Sequence, residues 1–261
     1  MAVGAVATEP ADTLTQWIYL LRLADNPLVL AQRLGEWVGK APMLEEEMAL
    51  VNIGLDLLGQ ARMLLSYAAN LSPQYPDEDA LAFQRDVLDF HNVLLVEQAN
   101  GDFAMTMMRQ FLFSTFSLHQ YMALASCRDV RLAGIAAKAL PEVRYHVRHS
   151  GQWVLRLGDG TEDSHRRAQS ALDQLWMYTG ELFECDDVER QMIDAGLGVS
   201  AAELREAWQA DVQACLSGAG LVHPEDGWMQ TGGRNGHHSE HLGYLLCEMQ
   251  FMQRAYPNAK W

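Results

Sequence analysis

The 261-residue sequence has little that would staple it, thread it through a bilayer or hold it on nucleic acid. Its four cysteines, Cys127, Cys185, Cys215 and Cys247, lie far apart and form no Cys-x-x-Cys pair. That excludes a disulfide framework and a zinc ribbon, and it fits a reducing cytoplasm. Basic residues are few: 19 Lys and Arg against 34 Asp and Glu give a formal net charge of −15. A nucleic-acid binder needs a basic face against phosphates, so that class is set aside, whereas docking on a complementary protein is compatible. Alternating β-branched runs are nearly absent, which argues against a sheet. The most apolar segment, 48–69, carries Asn52, Asp56 and Arg62, which are costly in lipid; it reads as a core helix and not a membrane span. The opening MAVGAVATEPADT has no basic start followed by a long apolar run, so no signal peptide is expected.

What is present is helical periodicity. After a tail at 1–11 expected to be disordered, apolar positions recur at helical spacing. The pattern predicts helices over 12–38, 43–71, 79–97, 101–127, 130–158, 164–183, 186–195, 200–217 and 239–255, with a kink or break at Pro27. Turn residues separate them: Gly39 with Pro42, Ser72 to Asp77, Asn100-Gly101, Gly158 to Thr161, and the glycine-rich Thr231 to Gly236. No composition shift marks a boundary, so 12–261 is expected to be one all-α domain.

Two pairs, 12–38 with 43–71 and 101–127 with 130–158, read as long antiparallel hairpins. Two such hairpins make the core of a ferritin-like four-helix bundle, here with additional C-terminal helices. In the di-iron members of that class two helices each supply a Glu and the other two each supply Glu-x-x-His. Ligands must meet at one height, and each helical residue rises about 1.5 Å, so distance from the turn acts as a ruler. With the first turn centred near 40, Asp56 lies 16 residues after it and Asp25 15 before. With the second centred near 128, Glu142 lies 14 after and its mirror position is Ser114, with no carboxylate between 112 and 116.

The histidines are fewer still. Gly59 follows Asp56 by three and Tyr145 follows Glu142 by three; His146, at four, faces the same side. Asp25, Asp56, Glu142 and His146 therefore read as a degenerate metal site, with no metal expected. Buried carboxylates need compensation, and Arg22, Arg62 and Arg144 are nearby in sequence.

Other motifs have a sharp and a bland reading. His237, His238, Glu240 and His241 have zinc-like spacing but are commoner as an interface cluster at a helix start. The Thr231–Gly236 loop with Arg234 has the makings of a phosphate cradle. The methionine- and aromatic-rich 103–124 suits both a packed helix and an adaptable interface. The acidic run 184–189 suits a solvated helix start.

Long stretches carry a resemblance: RLADNPLVLAQRLGEW, NIGLDLLGQAR, LLVEQANGDFAMTMMRQ, AAKALPEVRYHVRHS, LGDGT and TGGRNGHHSEHLGYLLCEMQFMQ. From Leu20 to Trp261 the chain resembles the C subunits of bacterial ring-1,2-phenylacetyl-CoA epoxidases, multicomponent oxygenases of phenylacetate degradation. The resemblance implies a structural subunit with no cofactor of its own. It implies a stable complex with a ferritin-like catalytic A subunit, which carries the di-iron centre and epoxidises the ring of phenylacetyl-CoA. A reductase with FAD and an iron–sulfur cluster would bring electrons from NADPH. It further implies CoA-ester contacts near Asp89, Phe90, His91 and Asn92, and near Arg190, Gln191 and Met192. An autonomous di-iron oxygenase or iron-binding protein is the alternative, and a transient regulatory module a third.

Overall fold

A computed structural model describes residues 12–257 and 259, without the side chains of 201 and 202; the tail at 1–11 lies outside them. Among the described residues there is no strand. The helices are α1 (Thr13–Gly35), α2 (Leu44–Ala69), α3 (Glu78–Phe83), α4 (Leu94–Glu97), α5 (Phe103–Leu124), α6 (Val130–Gly158), α7 (Glu162–Trp176), α8 (Asp187–Asp194), α9 (Ala201–Gly218) and α10 (Glu240–Ala255), with 3₁₀ turns at Val87–Asp89, Gly180–Phe183 and Gly233–Asn235.

The two expected hairpins form, α1 along α2 and α5 along α6, and they meet where α2 lies on α6. Their starts follow local chemistry. Asp102 accepts from the Met105 N–H, and Asp129 from the Arg131 and Leu132 N–H groups, satisfying donors that a first helical turn leaves open. Gly39 takes a φ of 76° in the first connection, a left-handed conformation that favours glycine.

Leu20, Leu21, Leu30 and Leu34 of α1 and Leu50, Ile53 and Leu64 of α2 are essentially inaccessible, as are Met107 and Leu112 of α5 and Ala136, Ala139 and Val143 of α6. They belong to one continuous core. Each large apolar side chain so buried stabilises the fold by about 1.5–3 kcal/mol. α7 and α9 cover α5, where the Trp208 indole stacks on Trp176 and donates to the Leu112 carbonyl at 2.9 Å. α8 and α10 close over α1.

Three expectations change. The helix expected over 79–97 is interrupted after Phe83, because amide groups of this stretch donate to distant side chains instead of to a helical ladder: His91 to Asp25, Val93 to Asn26 and Leu94 to Glu181. The helix expected over 164–183 stops at Trp176, and a 3₁₀ turn follows. Pro27 does not break α1: it lacks only one N–H, and the buried Asn26 amide beside it bonds back to the Arg22 carbonyl at 3.0 Å.

α2 is long and apolar enough to cross a bilayer, yet one of its faces packs into the core. The other face leaves Leu44, Met48, Leu55 and Leu58 exposed. It is thus a core helix on one side only.

Candidate functional site

Asp25 sits in the middle of α1 with no exposed surface. Its carboxylate is gripped from both oxygens by the equally buried Arg85 guanidinium, at 2.5 and 2.9 Å, and also accepts the His91 N–H at 2.9 Å. Arg85 further donates to the Leu81 and Asp89 carbonyls and lies over the Phe90 ring at 4.2 Å from its centroid. The compensation expected from Arg22, Arg62 and Arg144 thus comes from Arg85 instead. Arg22 turns to Asp186 and Glu189, Arg62 to Glu78, and Arg144 is exposed.

Asp56 and Glu142 lie elsewhere, on the seam where α2 crosses α6. His146 Nε2 is 3.1 Å from Asp56 Oδ2, and Gln60 donates to Glu142 at 3.0 Å. The seam is polar along its length: Glu46 meets His149 and the Trp153 indole at 2.9 and 2.8 Å, and the Tyr67 hydroxyl donates to Asp129 at 2.5 Å. Burial lowers the His146 pKa against the pull of Asp56, so the neutral ring is favoured. On α5, the mirror position Ser114 is buried and accepts from Gln110 at 2.8 Å. Asp25 therefore does not share a site with Asp56, Glu142 and His146, and among the described residues no three His, Cys, Asp or Glu side chains converge as metal ligands. The donor set does not fit a dinuclear centre: each candidate carboxylate already answers a cation, an imidazole or an amide of the same chain.

The Thr231–Gly236 loop does cradle an anion, but the anion is the protein's own. The fully buried Glu181 carboxylate accepts the Gly232 and Arg234 N–H groups at 3.1 Å each and the Leu94 N–H at 2.7 Å. Burial raises its pKa while those N–H groups oppose the rise. Gly233 must be glycine here, since a Cβ would lie 2.4 Å from the Asn92 carbonyl oxygen. Arg234 pairs with Glu189 and donates to the Glu184 carbonyl at 2.7 Å. The acidic run 184–189 is accordingly a set of partners for Arg22 and Arg234 and more than a solvated start.

The histidine cluster divides as well. α10 begins at Glu240, so His237 and His241 do not share a helix, and His238 is committed. Its Nδ1 lies 2.8 Å from the buried Glu97 carboxylate and its Nε2 2.9 Å from the Phe90 carbonyl. Both neighbours are acceptors, which calls for the doubly protonated ring. Burial disfavours that cation, but the Glu97 hydrogen bond and charge prevail and raise the pKa. Glu97 also takes the Asn92 amide and the Ser239 N–H.

The two stretches expected to touch a CoA ester both pack beside α1, joined through Arg22, Glu189 and Arg234, whose carbonyl meets His91 Nδ1 at 3.0 Å. Phe90, Asn92 and Met192 are buried. Asp89, Arg190 and Gln191 are exposed, and His91 is half-buried with its pKa lowered by burial. Arg190 pairs with Asp187, and Gln191 accepts from Thr15. Sequence reasoning missed Arg85, Glu97 and Glu181. The one available signal was a single carboxylate set in an apolar stretch, as Glu97 is in LLVEQ.

A model of the family described as phenylacetic acid catabolic protein matches residues 4–261. The chain belongs to that family. It is also 50% identical over 243 residues to the protein of Escherichia coli (strain K12) named as the C subunit of 1,2-phenylacetyl-CoA epoxidase, covering 93% of this chain and 98% of that one. Among solved structures it resembles a Synechococcus protein with aldehyde deformylating oxidase activity, with a TM-score of 0.54 at 12% identity over 79% of this chain and 92% of that one. At that identity the likeness speaks to fold alone, and it agrees with a ferritin-like helical bundle. Membership of the phenylacetic acid catabolic family is what the resemblance in the sequence implied.

Proposed function

We propose that this member of the phenylacetic acid catabolic family is a non-catalytic, structural subunit of a cytoplasmic phenylacetyl-CoA epoxidase, held in a stable complex with a di-iron catalytic subunit. The observation that carries this reading is the capture of Asp25 by Arg85. A position suited to a metal ligand is neutralised by a cation from the same chain, while Asp56 is taken separately by His146. The relative named as an epoxidase subunit supports the assignment to that complex. In this role the chain holds the catalytic bundle in shape, and displacements of about 1 Å at a reacting centre can change rate a hundredfold. Support for the CoA ester runs through the accessible Asp89, His91, Arg190 and Gln191, with Phe90, Asn92 and Met192 fixing them from behind. The di-iron, FAD and iron–sulfur groups reside in the other components.

The test is iron content of the chain purified alone, paired with epoxidation by the catalytic subunit and reductase with and without it. Negligible iron, together with turnover that needs this chain, is the expected result. About two irons per chain, lost on Glu142→Ala, would instead establish an autonomous di-iron protein.

A further inference from the structure

α6 carries five exposed cations, Arg131, Lys138, Arg144, Arg148 and Arg156, in a chain whose net charge is −15. None of the five makes an ion pair among the described residues. Several exposed arginines elsewhere do find carboxylates: Arg62 pairs with Glu78, Arg167 with Asp163 and Asp102, Arg190 with Asp187 and Arg254 with Asp86, while Arg205 of α9 lies over the Phe183 ring. The only acidic residue on α6, Glu142, turns inward to Gln60. Aromatic rings hold three of the cations instead, Arg131 over Tyr67, Arg148 over Tyr145 and Arg156 over Trp153. Acidic groups outnumber basic ones almost two to one, so leaving these unmatched on one helix is a segregation of charge.

α2 packs on this helix and has an exposed apolar side of its own. Leu44, Met48, Leu55 and Leu58 recur at helical spacing and are 37–69% exposed. A shallow groove of about 460 Å³ joins the two helices, lined by Met63 of α2 and Ile135 of α6, with Arg131 and Lys138 on its α6 side and the Arg62–Glu78 ion pair also in its lining. An apolar strip whose α6 side carries only unpaired cations has the anatomy of a protein interface, with a dry centre and a polar rim. The rim charge selects its occupant.

We propose that the joint outer face of α2 and α6 docks the catalytic subunit of the complex, and that the matching surface there is an apolar helix flanked by carboxylates. This rests on the reading of the chain as an epoxidase subunit and names the surface that reading needs. Two features favour a protein over an anionic membrane: the apolar strip has no aromatic anchor, and α2 opens with Glu45, Glu46 and Glu47, which lipid phosphates repel. Nucleic acid would gain nothing from four apolar side chains beside the cations.

The experiment measures the affinity of the full chain for the purified catalytic subunit at low and high salt. It compares wild type with the pair Arg144→Glu and Arg148→Glu, and separately with Leu55→Asn; circular dichroism checks that each variant keeps its helices. The expected result is a wild-type complex that weakens with salt, a loss of about tenfold or more in affinity for the charge-reversed pair, and a loss for Leu55→Asn that salt does not change. A wild-type complex with both variants binding equally well would overturn this assignment and leave the subunit reading standing. No wild-type complex at all would overturn the subunit reading itself. A homodimer of the chain alone, dissolved by the same substitutions, would give the face to a second copy. Sedimentation with phosphatidylserine vesicles, lost in the same variants, would give it to a lipid surface. Either result refutes the proposal.

Discussion

Replacing Arg85 by methionine removes a cation and leaves the Asp25 carboxylate in place with no exposed surface. With charge centres about 4 Å apart, the attraction between the two groups is about 4 kcal/mol at an effective dielectric constant of about 20. Of the contacts to Asp25, the His91 N–H at 2.9 Å would remain. Breaking a buried pair from one side typically costs about 3–5 kcal/mol, because the abandoned charge stays desolvated. For a domain of this size that corresponds to a fall of about 10 °C in melting temperature. The double replacement Asp25→Leu with Arg85→Met removes both charges and should recover most of the loss, since apolar pairs of similar volume often replace buried ion pairs at little cost. Urea unfolding of wild type, both single variants and the double variant gives the coupling directly. Hydrogen exchange at the His91 amide reports whether the local geometry survives. An Arg85→Met chain within about 1 kcal/mol of wild type, with that amide still protected, would refute the view that this pair holds the 85–92 stretch on α1.

Two further results are expected. Glu181→Gln leaves one carbonyl oxygen where a carboxylate accepts three backbone N–H groups; it should cost about 1–3 kcal/mol and speed exchange of the Leu94, Gly232 and Arg234 amides together. The histidines should act on opposite sides of neutrality. The pKa values of His91 and His146 are lowered below 6.5 by burial, so the unfolded chain takes up protons first. Their contribution is complete above that pH and is lost as pH falls toward the folded values. His238 is raised above 6.5, so its contribution is complete below that pH and is lost as pH rises through the folded value. Unfolding midpoints against pH should show a flatter acid limb for His146→Gln and a flatter alkaline limb for His238→Gln; the reverse pattern would sink the assignment.

Much of the fold was legible because long amphipathic helices declare themselves by period, and because turns such as Gly39 to Pro42 and Asn100-Gly101 are local chemistry. The metal-site ruler measures only one coordinate. Distance from a turn fixes height along a helix, but not the direction in which a side chain leaves it. Asp25 and Asp56 lie almost equally far from the first turn, yet one faces Arg85 and the other faces His146. Arg85 was hidden because it fell within an expected helix, 79–97, whose interruption depends on acceptors elsewhere in the chain: Asp25, Asn26 and Glu181. No window of sequence contains both the donors and those acceptors. The glycine-rich loop shows a similar limit. Its composition indicates an anion, and only tertiary structure shows that the anion is Glu181.

The irregular stretch from Arg85 to Glu97 sets the order in which the chain can mature. Its polar groups are answered by residues made much later: Glu181 for Leu94, His238 for the Phe90 carbonyl and Glu97, and Gln250 for the Arg85 carbonyl. A nascent chain that has released only the two hairpins can bury their leucines, but it holds the Glu97 carboxylate without His238 and the Arg85 carbonyl without Gln250. Closing loops of that length is entropically costly, and an incompletely satisfied core exposes surface that aggregates. Completion of the first third of the molecule therefore waits for α10, and a ribosome stalled before it would carry a folded-looking bundle that is not yet sealed.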